Sequence, residues 1–340
     1  MREFKQRLAV LRERHLDEVL ALIEETVAEH SPPGSSLVPM CGYHFSTGGK
    51  RLRAMLPLLV ADALEVDPGR LVPFAAACEM IHNATLVHDD LQDGDRIRRG
   101  QETVWAHYGA ARAINLGDAM LYFAILLVER LDAPPERRLA TVARLARDVI
   151  RVVDGQEREF LLKEAKIPTL AEYFTMVEGK TSGLFALPAA GAAELCEADP
   201  ALVDALSKAA TDLGVIFQIQ DDVLDLYGDK GRGERGSDIG EGKISALVVH
   251  CLQHAPQDQA RWLRELLVAG REQVMAADIE RASALFIEAG SLDFALAEIG
   301  RRKSAATAYP ALAAHPRLAN LVAQMATLFV EPIEQIYAPE

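Results

Sequence analysis

The sequence predicts an all-α protein folded as a single helical bundle, and three observations carry that expectation. Nearly every segment of the 340-residue chain repeats its apolar residues with a helical period, and no alternating strand pattern bounded by hairpin turns interrupts it. Aromatic residues make up only 6% of the chain against 50% hydrophobic, an Ala/Leu-rich balance that suits helices better than a sandwich or barrel. The breakers are spaced widely enough for long helices to fit between them.

Taken in order, MREFKQRLAVLRERHLDEVL carries charges on a helical period and lacks an apolar signal core, and SPPGSS (Ser31–Ser36) ends this first helix. A second runs through RLRAMLPLLVADAL and stops at DPGR (Asp67–Arg70). Further breaks fall at DAPP (Asp132–Pro135), at Ile167-Pro168-Thr169 and at Asp199-Pro200. Between them lie LGDAMLYFAILLVERL (Leu116–Leu131) and LVDALSKAATDLGVIFQIQDDVLDLY (Leu202–Tyr227), too poor in polar residues for surface helices and therefore expected at the bundle centre. Two polar, Gly-rich loops stand apart, DGDRIRRGQET (Asp93–Thr103) and GDKGRGERGSDIGEGK (Gly228–Lys243). With no linker and no repeat, one domain over residues 1–340 is the economical reading.

The formal charge of −14 argues against a uniform basic nucleic-acid face but leaves room for a local basic pocket. Cys41, Cys78, Cys196 and Cys251 are far apart and form no CxxC pair, so they read as small buried residues in a reducing compartment. No uninterrupted apolar stretch reaches the ~18 residues of a membrane span. A cytoplasmic protein is the simplest expectation.

The chemistry sits in two Asp-rich segments, each following an apolar helical run. LVHDDLQDGD supplies Asp89, Asp90 and Asp93, and FQIQDDVLD supplies Asp221, Asp222 and Asp225. In each, the first and last aspartates are four residues apart and share a helix face, where like charges repel unless a cation offsets them. Oxygen ligands without Cys or His partners suit Mg²⁺, which takes one or two carboxylates together with phosphate oxygens. Basic residues follow each segment: Arg98 and Arg99 after the first, then Lys230, Arg232, Arg235 and Lys243 after the second. Lys50, Arg51 and Arg53 in TGGKRLR and Lys180 in EGKTSG add to them, so carboxylates and cations together point to metal-bridged phosphate. The GGK is not a Walker loop, since His44 and Arg51 stand where that motif needs Gly and Ser/Thr.

GGKRLR, HDDLQDGDRIRRG, GKTSGLF and FQIQDDVLDLYGD…SDIGEGK stand in the order and spacing of the trans-isoprenyl diphosphate synthases, which this chain resembles from about Lys50 to about Leu252. The resemblance implies a helical bundle around a central substrate cavity, the isoprenoid synthase fold, and a homodimer. It implies that Asp89, Asp93 and Asp221 hold three Mg²⁺ ions on an allylic diphosphate (dimethylallyl, geranyl or farnesyl), with Asp90, Asp222 and Asp225 in support. Arg98, Lys180 and Lys243 would clamp that diphosphate. Lys50, Arg53, His82 and Arg99 would bind isopentenyl diphosphate, and Thr181 and Gln218 would steady the allylic cation. Taken singly, Lys50 and Arg53 read as solvated charges, His82 as a core histidine, Gln218 as a partner for buried backbone and Lys180-Thr181 as a cap. Their joint order favours the functional reading.

The chain departs from the family pattern at Ala54, where Pro is usual, and at Glu234, where Lys is frequent and where Lys230, Arg232 or Arg235 could compensate. The C-terminal PIEQIYAPE lacks a basic tail. A class I terpene cyclase is disfavoured because the second segment reads DDVLD, and a non-catalytic partner subunit because both segments are intact. Product length turns on the helix before Asp89. Thr85 and Ala84 are small where C15-forming relatives carry aromatics, and Ile81 and Cys78 do not seal the tunnel alone. Tyr122 and Phe123 are candidate stoppers, or equally core aromatics. The expected product is C20 geranylgeranyl diphosphate, with farnesyl diphosphate as the alternative.

Overall fold

The computed structural model describes residues 2–228 and 235–337, and among these the chain is almost wholly helical. The helices are α1 (Arg2–His30), α2 (Leu37–Ser46), α3 (Leu52–Ala63), α4 (Val72–Gln92), α5 (Val104–Tyr108) and α6 (Ala110–Glu129). They continue with α7 (Pro135–Glu164), α8 (Leu170–Leu195), α9 (Pro200–Tyr227), α10 (Ser237–Gly240), α11 (Ala246–His254) and α12 (Gln257–Val268). Last come α13 (Ala276–Glu288), α14 (Ser291–Ala308), α15 (Pro310–Ala313) and α16 (Pro316–Tyr337). Among the described residues, the one departure from the all-helical expectation is a two-stranded hairpin, β1 (Ile97–Arg98) with β2 (Gln101–Glu102), which pairs Ile97 with Glu102 and Arg98 with Gln101. It falls inside the polar loop after the first Asp segment, where Arg99 and Gly100 at positive φ make the tight turn.

Each breaker does its work where the sequence puts it. Ser31–Ser36 separates α1 from α2, and the Asp67 carboxylate accepts from the Gly69 amide to start a short 3₁₀ turn before α4. The loop around Pro168 separates α7 from α8. Asp199 caps α9 by accepting from the Ala201 amide at 2.8 Å.

The chain divides into two compact units, described separately here. The first comprises Met1–Val149, Leu184–Ser207 and Ala314–Leu321. In it α4 packs most extensively on α6, and also on α3 and α1. Helix α4 is buried around its whole circumference here, through Val72, Phe74, Ala75, Ala76, Ala77, Met80 and Ile81, all essentially inaccessible. Small residues there let the helices approach closely, and burial of the larger ones supplies most of the stabilisation, roughly 1.5–3 kcal/mol for each. Helix α6 is long and apolar enough to cross a membrane, but it buries Leu116, Met120, Phe123 and Leu127 within this unit, as a core helix does.

The second unit comprises Ile150–Gly183, Lys208–Ala313 and Val322–Glu340. Its α11, α12, α13 and α14 pack on one another. Arg302 of α14 reaches Glu178 of α8 at 3.0 Å, Asp212 of α9 at 2.9 Å and Glu298 at 2.9 Å, and Tyr309 donates to the other Asp212 oxygen at 2.8 Å. This partly buried network ties together the two helices that carry the second unit's chemistry.

Candidate active site

In the first unit the first Asp segment is the last turn of α4. The Asp93 amide closes the helix on the Asp89 carbonyl at 2.8 Å, so the three aspartates are held by helical backbone. Asp89 and Asp93 are half-buried and share one face, as the spacing requires. Asp90 turns inward, is 1% exposed, and accepts from Arg98 of the hairpin at 2.7 Å (Nε) and 2.5 Å (Nη2). Burial pushes the Asp90 carboxyl up, and Arg98 opposes that push. Arg98 is thus the counter-ion of Asp90.

The hairpin is fastened from both sides. Thr103 and Trp105 donate to the Asp95 carbonyl at 2.8 and 2.7 Å, and Tyr43 of α2 donates to the Glu102 carbonyl at 2.9 Å. This places Arg99 over the GGKR loop, where its guanidinium donates to the Gly48 carbonyl. Gly49 has φ +130°, and a Cβ there would lie 2.5 Å from Arg99 Nη1, so glycine is needed both for the backbone and for the arginine above it.

Arg51 follows at a left-handed φ of 49° and is buried, donating to Glu79 at 3.1 Å and to the Phe45 carbonyl at 2.6 Å. Glu79 also accepts from the Ala54 amide at 3.1 Å. Proline at position 54 could not make that bond, which gives the departure at Ala54 a physical reason. Arg53 stacks over the Phe185 ring at 4.2 Å, and Lys50 is exposed. His82 has a buried Nδ1 with no partner among the described residues, and burial together with Arg53, Arg98 and Arg99 holds its pKa well below the ordinary value. His44, bonded to Asn83 at 3.0 Å, is lowered to about 4 by burial and Arg98. Arg53, Arg98 and Arg99 thus surround His82 with positive charge that disfavours its protonation.

The second unit holds the other segment on α9. Asp221 is half-buried, while Asp222 and Asp225 are buried. Asp222 accepts from the Tyr173 hydroxyl and from Gln218 Nε2, both at 2.9 Å. A carboxylate can only accept here, so it fixes the Gln218 amide with Oε1 turned the other way. That oxygen accepts from Thr181 at 2.7 Å, which uses the Thr181 proton and leaves its oxygen as an acceptor. Asp225 accepts from the Ser237 hydroxyl at 3.0 Å and the Asp238 amide at 3.1 Å, pinning the loop that leads to Lys243. Lys243 lies 3.2 Å from Asp238 and 3.7 Å from Asp222, and these charges outweigh its burial and raise its pKa. Lys180 of α8 pairs with the buried Glu159 of α7 at 2.5 Å, and Lys180 opposes the burial of that carboxyl and lowers its pKa.

The Arg235 guanidinium donates to the Leu226 carbonyl. Lys230, Arg232 and Glu234 lie outside the described residues. Tyr122, offered as a stopper, is 70% exposed and so cannot close a tunnel within its own chain, because it sits on the outer face of α6. Phe123, about 100° round the helix from it, is 5% exposed. Sequence reasoning missed Glu159, Tyr173 and Glu79, whose roles come from neighbours far along the chain. It also missed Gln156 of α7, whose amide has both polar atoms buried without a partner among the described residues.

Known proteins resemble this chain over most of its length. Residues 35–285 match the family described as Polyprenyl synthetase. A geranylgeranyl pyrophosphate synthase of Geoglobus acetivorans is 34% identical over 274 residues, covering 80% of this chain and 83% of that protein. A geranylgeranyl diphosphate synthase of Methanosarcina mazei is 33% identical over 285 residues, covering 83% and 84%. A polyprenyl synthase of Caulobacter crescentus, solved as a complex with calcium and isoprenyl diphosphate, superposes with a TM-score of 0.81 at 28% identity over 96% of this chain and 97% of that one. With the match spanning both Asp segments and both sets of cations, the chain belongs to the polyprenyl synthetase family.

Proposed function

We propose that this protein is a prenyltransferase that joins isopentenyl diphosphate to an allylic diphosphate, with geranylgeranyl diphosphate (C20) as its product. The observation that carries the reading is the pair of Asp segments, each with a half-exposed leading aspartate and its own cations, in a chain of this family. The geranylgeranyl synthases among its relatives support the C20 product.

The donor set fits Mg²⁺. It consists of carboxylate oxygens, with Asp89, Asp93 and Asp221 accessible and no Cys or His among them. By family membership these three residues would hold three Mg²⁺ ions on the allylic diphosphate, and the metal, when bound, supplies Lewis-acid stabilisation of charge on the leaving diphosphate. The chain's own groups do the rest. Lys180 and Lys243 add positive charge toward the departing oxygens as the allylic C–O bond breaks. The Thr181 hydroxyl oxygen, oriented through Gln218 and Asp222, turns its dipole to the allylic cation. Lys50, Arg53 and Arg99 bind the second diphosphate without metal, and neutral His82 adds a hydrogen bond. The isopentenyl double bond then attacks the cation, the new C–C bond forms, and the proton lost from the adduct passes to the released pyrophosphate.

The exposed apolar side chains of Ile114 and Tyr122 on α6 and of Leu139 on α7 support a homodimer contact. Four free cysteines support a reducing cytoplasm. Incubation with isopentenyl diphosphate, each allylic diphosphate and Mg²⁺, followed by chromatography of the dephosphorylated products, tests the reading. C20 alcohol is the expected main product, C15 alone would refute the length, and no condensation would refute the activity.

A further inference from the structure

We propose that Gln156 of α7 is a further catalytic residue, its side-chain amide pairing with the allylic C–O bond as that bond breaks, an inference that rests on the synthase reading above. Gln156 is 9% exposed, and neither its amide nitrogen nor its amide oxygen has a partner among the described residues. A fold rarely buries a donor and an acceptor together in this way, because each loses its water and gains nothing in return. Gln218, by contrast, accepts from Thr181 at 2.7 Å and donates to Asp222 at 2.9 Å.

The packing of α7 on α8 sets the place of the unpaired amide. Val152, Gly155, Gln156, Glu159 and Leu162 form the buried stripe of α7 in this unit. A Cβ at Gly155 would collide with the Lys180 amide nitrogen and lie 2.7 Å from the Lys180 Cα, and one at Gly179 would lie 3.0 Å from the Gly155 Cα. The two glycines let the backbones touch, which brings Gln156 level with Lys180 and Thr181. One turn on, Glu159 meets the Lys180 ammonium at 2.5 Å. Gln156 therefore stands beside the lysine assigned to the leaving diphosphate and the threonine assigned to the allylic cation. A primary amide holds its oxygen and nitrogen about 2.2 Å apart in one plane, given its bond lengths. An intact C–O bond is shorter than that and carries little charge separation. As it breaks, the electron pair leaves with the diphosphate oxygen and C1 is left cationic. The amide N–H then donates to the departing oxygen while the amide oxygen turns its dipole to C1, and no proton changes hands. The amide thus fits the separating ion pair better than the bound substrate, which is the condition for accelerating the step.

The test uses the full-length enzyme with Gln156→Met and Gln156→Leu, apolar side chains of similar size. It compares the single-turnover rate with geranyl and isopentenyl diphosphates and Mg²⁺, the affinity for geranyl thiolodiphosphate, whose C–S bond does not ionise, and the melting temperature of the free protein. Each variant should lose about a hundredfold in rate and bind the thiolodiphosphate within about threefold of wild type. Each should also melt about 2 °C or more higher, because an unpaired buried amide has been removed. A rate within about threefold of wild type, or an affinity lost in step with the rate, overturns the proposal. So does a lowered melting temperature in both variants, or failure of both to fold, since the amide would then be satisfied in the free protein, as by a buried water. If only Gln156→Met fails to fold, the leucine variant decides. A wild-type enzyme that condenses nothing refutes the synthase reading instead, a different result from normal condensation unmoved by the variants.

Discussion

Asp90 and Asp222 hold the same place in their segments, the second of an adjacent pair, and both are nearly inaccessible. Their partners differ in kind. Asp90 is neutralised by a full positive charge, Arg98, delivered by the hairpin eight residues on. Asp222 is held by neutral donors, the Tyr173 hydroxyl and the Gln218 amide, with Lys243 at 3.7 Å. In the first unit the buried ion pair fixes the hairpin that carries Arg99. In the second, the hydrogen bonds orient the Thr181–Gln218 pair and leave the lysines closer to the surface. Identical spacing therefore serves two purposes: the inward aspartate is held differently in each unit, and the outward one, Asp89 or Asp221, stays half-exposed.

The sharpest division is between outward and inward aspartates. Asp89→Ala and Asp221→Ala should each lower kcat by about a thousandfold or more with folding intact, because charge stabilisation at the leaving group is lost. Steady-state rates with circular dichroism check both, and near-wild-type rates for either would erase the distinction.

The inward pair should separate by stability. Asp90→Asn leaves Arg98 buried without its counter-charge and should cost about 3–5 kcal/mol in urea unfolding. Asp222→Asn keeps a hydrogen-bonding side chain among neutral donors and should cost about 1–2 kcal/mol. Equal losses would mean that the two segments are held alike.

Acid sharpens the contrast further, because the two histidines lowered most, His44 and His82, belong to the first unit. The unfolded His44 titrates near 6.5 and the folded one at about 4. Above pH 6.5 both states are neutral and nothing changes. As pH falls below 6.5 the unfolded chain takes up a proton that the folded chain refuses, so stability declines toward pH 4, by up to about 3 kcal/mol. His44→Gln, which retains a partner for Asn83, should flatten that part of the stability–pH curve. The smallest effect is expected for Tyr173→Phe, which removes one neutral donor to Asp222 and should cost about 1–1.5 kcal/mol by the same urea measurement.

Much of this was legible in the sequence because helices write their period and their ends locally. The breakers at Ser31–Ser36, Asp67–Arg70 and Asp199-Pro200 stand where the helices stop, and the four-residue spacing put Asp89 and Asp93 on one face. The hairpin at Ile97–Glu102 escaped because two-residue strands leave no alternation to read. The spacing of Arg98 shows a cation near the first segment but not that Asp90 turns inward to meet it. Glu159 and Tyr173, which hold Lys180 and Asp222, lie 21 and 49 residues from their partners, and only folding brings them together. Tyr122 read as a candidate stopper because an aromatic in an apolar helix looks buried until the helix's outer face is known.

The central claim is tested most directly by following pyrophosphate release from geranyl diphosphate with and without isopentenyl diphosphate and Mg²⁺. One pyrophosphate released for each isopentenyl diphosphate consumed, with turnover abolished by chelating the metal, is the predicted result. Metal-independent turnover, or pyrophosphate released with no isopentenyl diphosphate consumed, would contradict it.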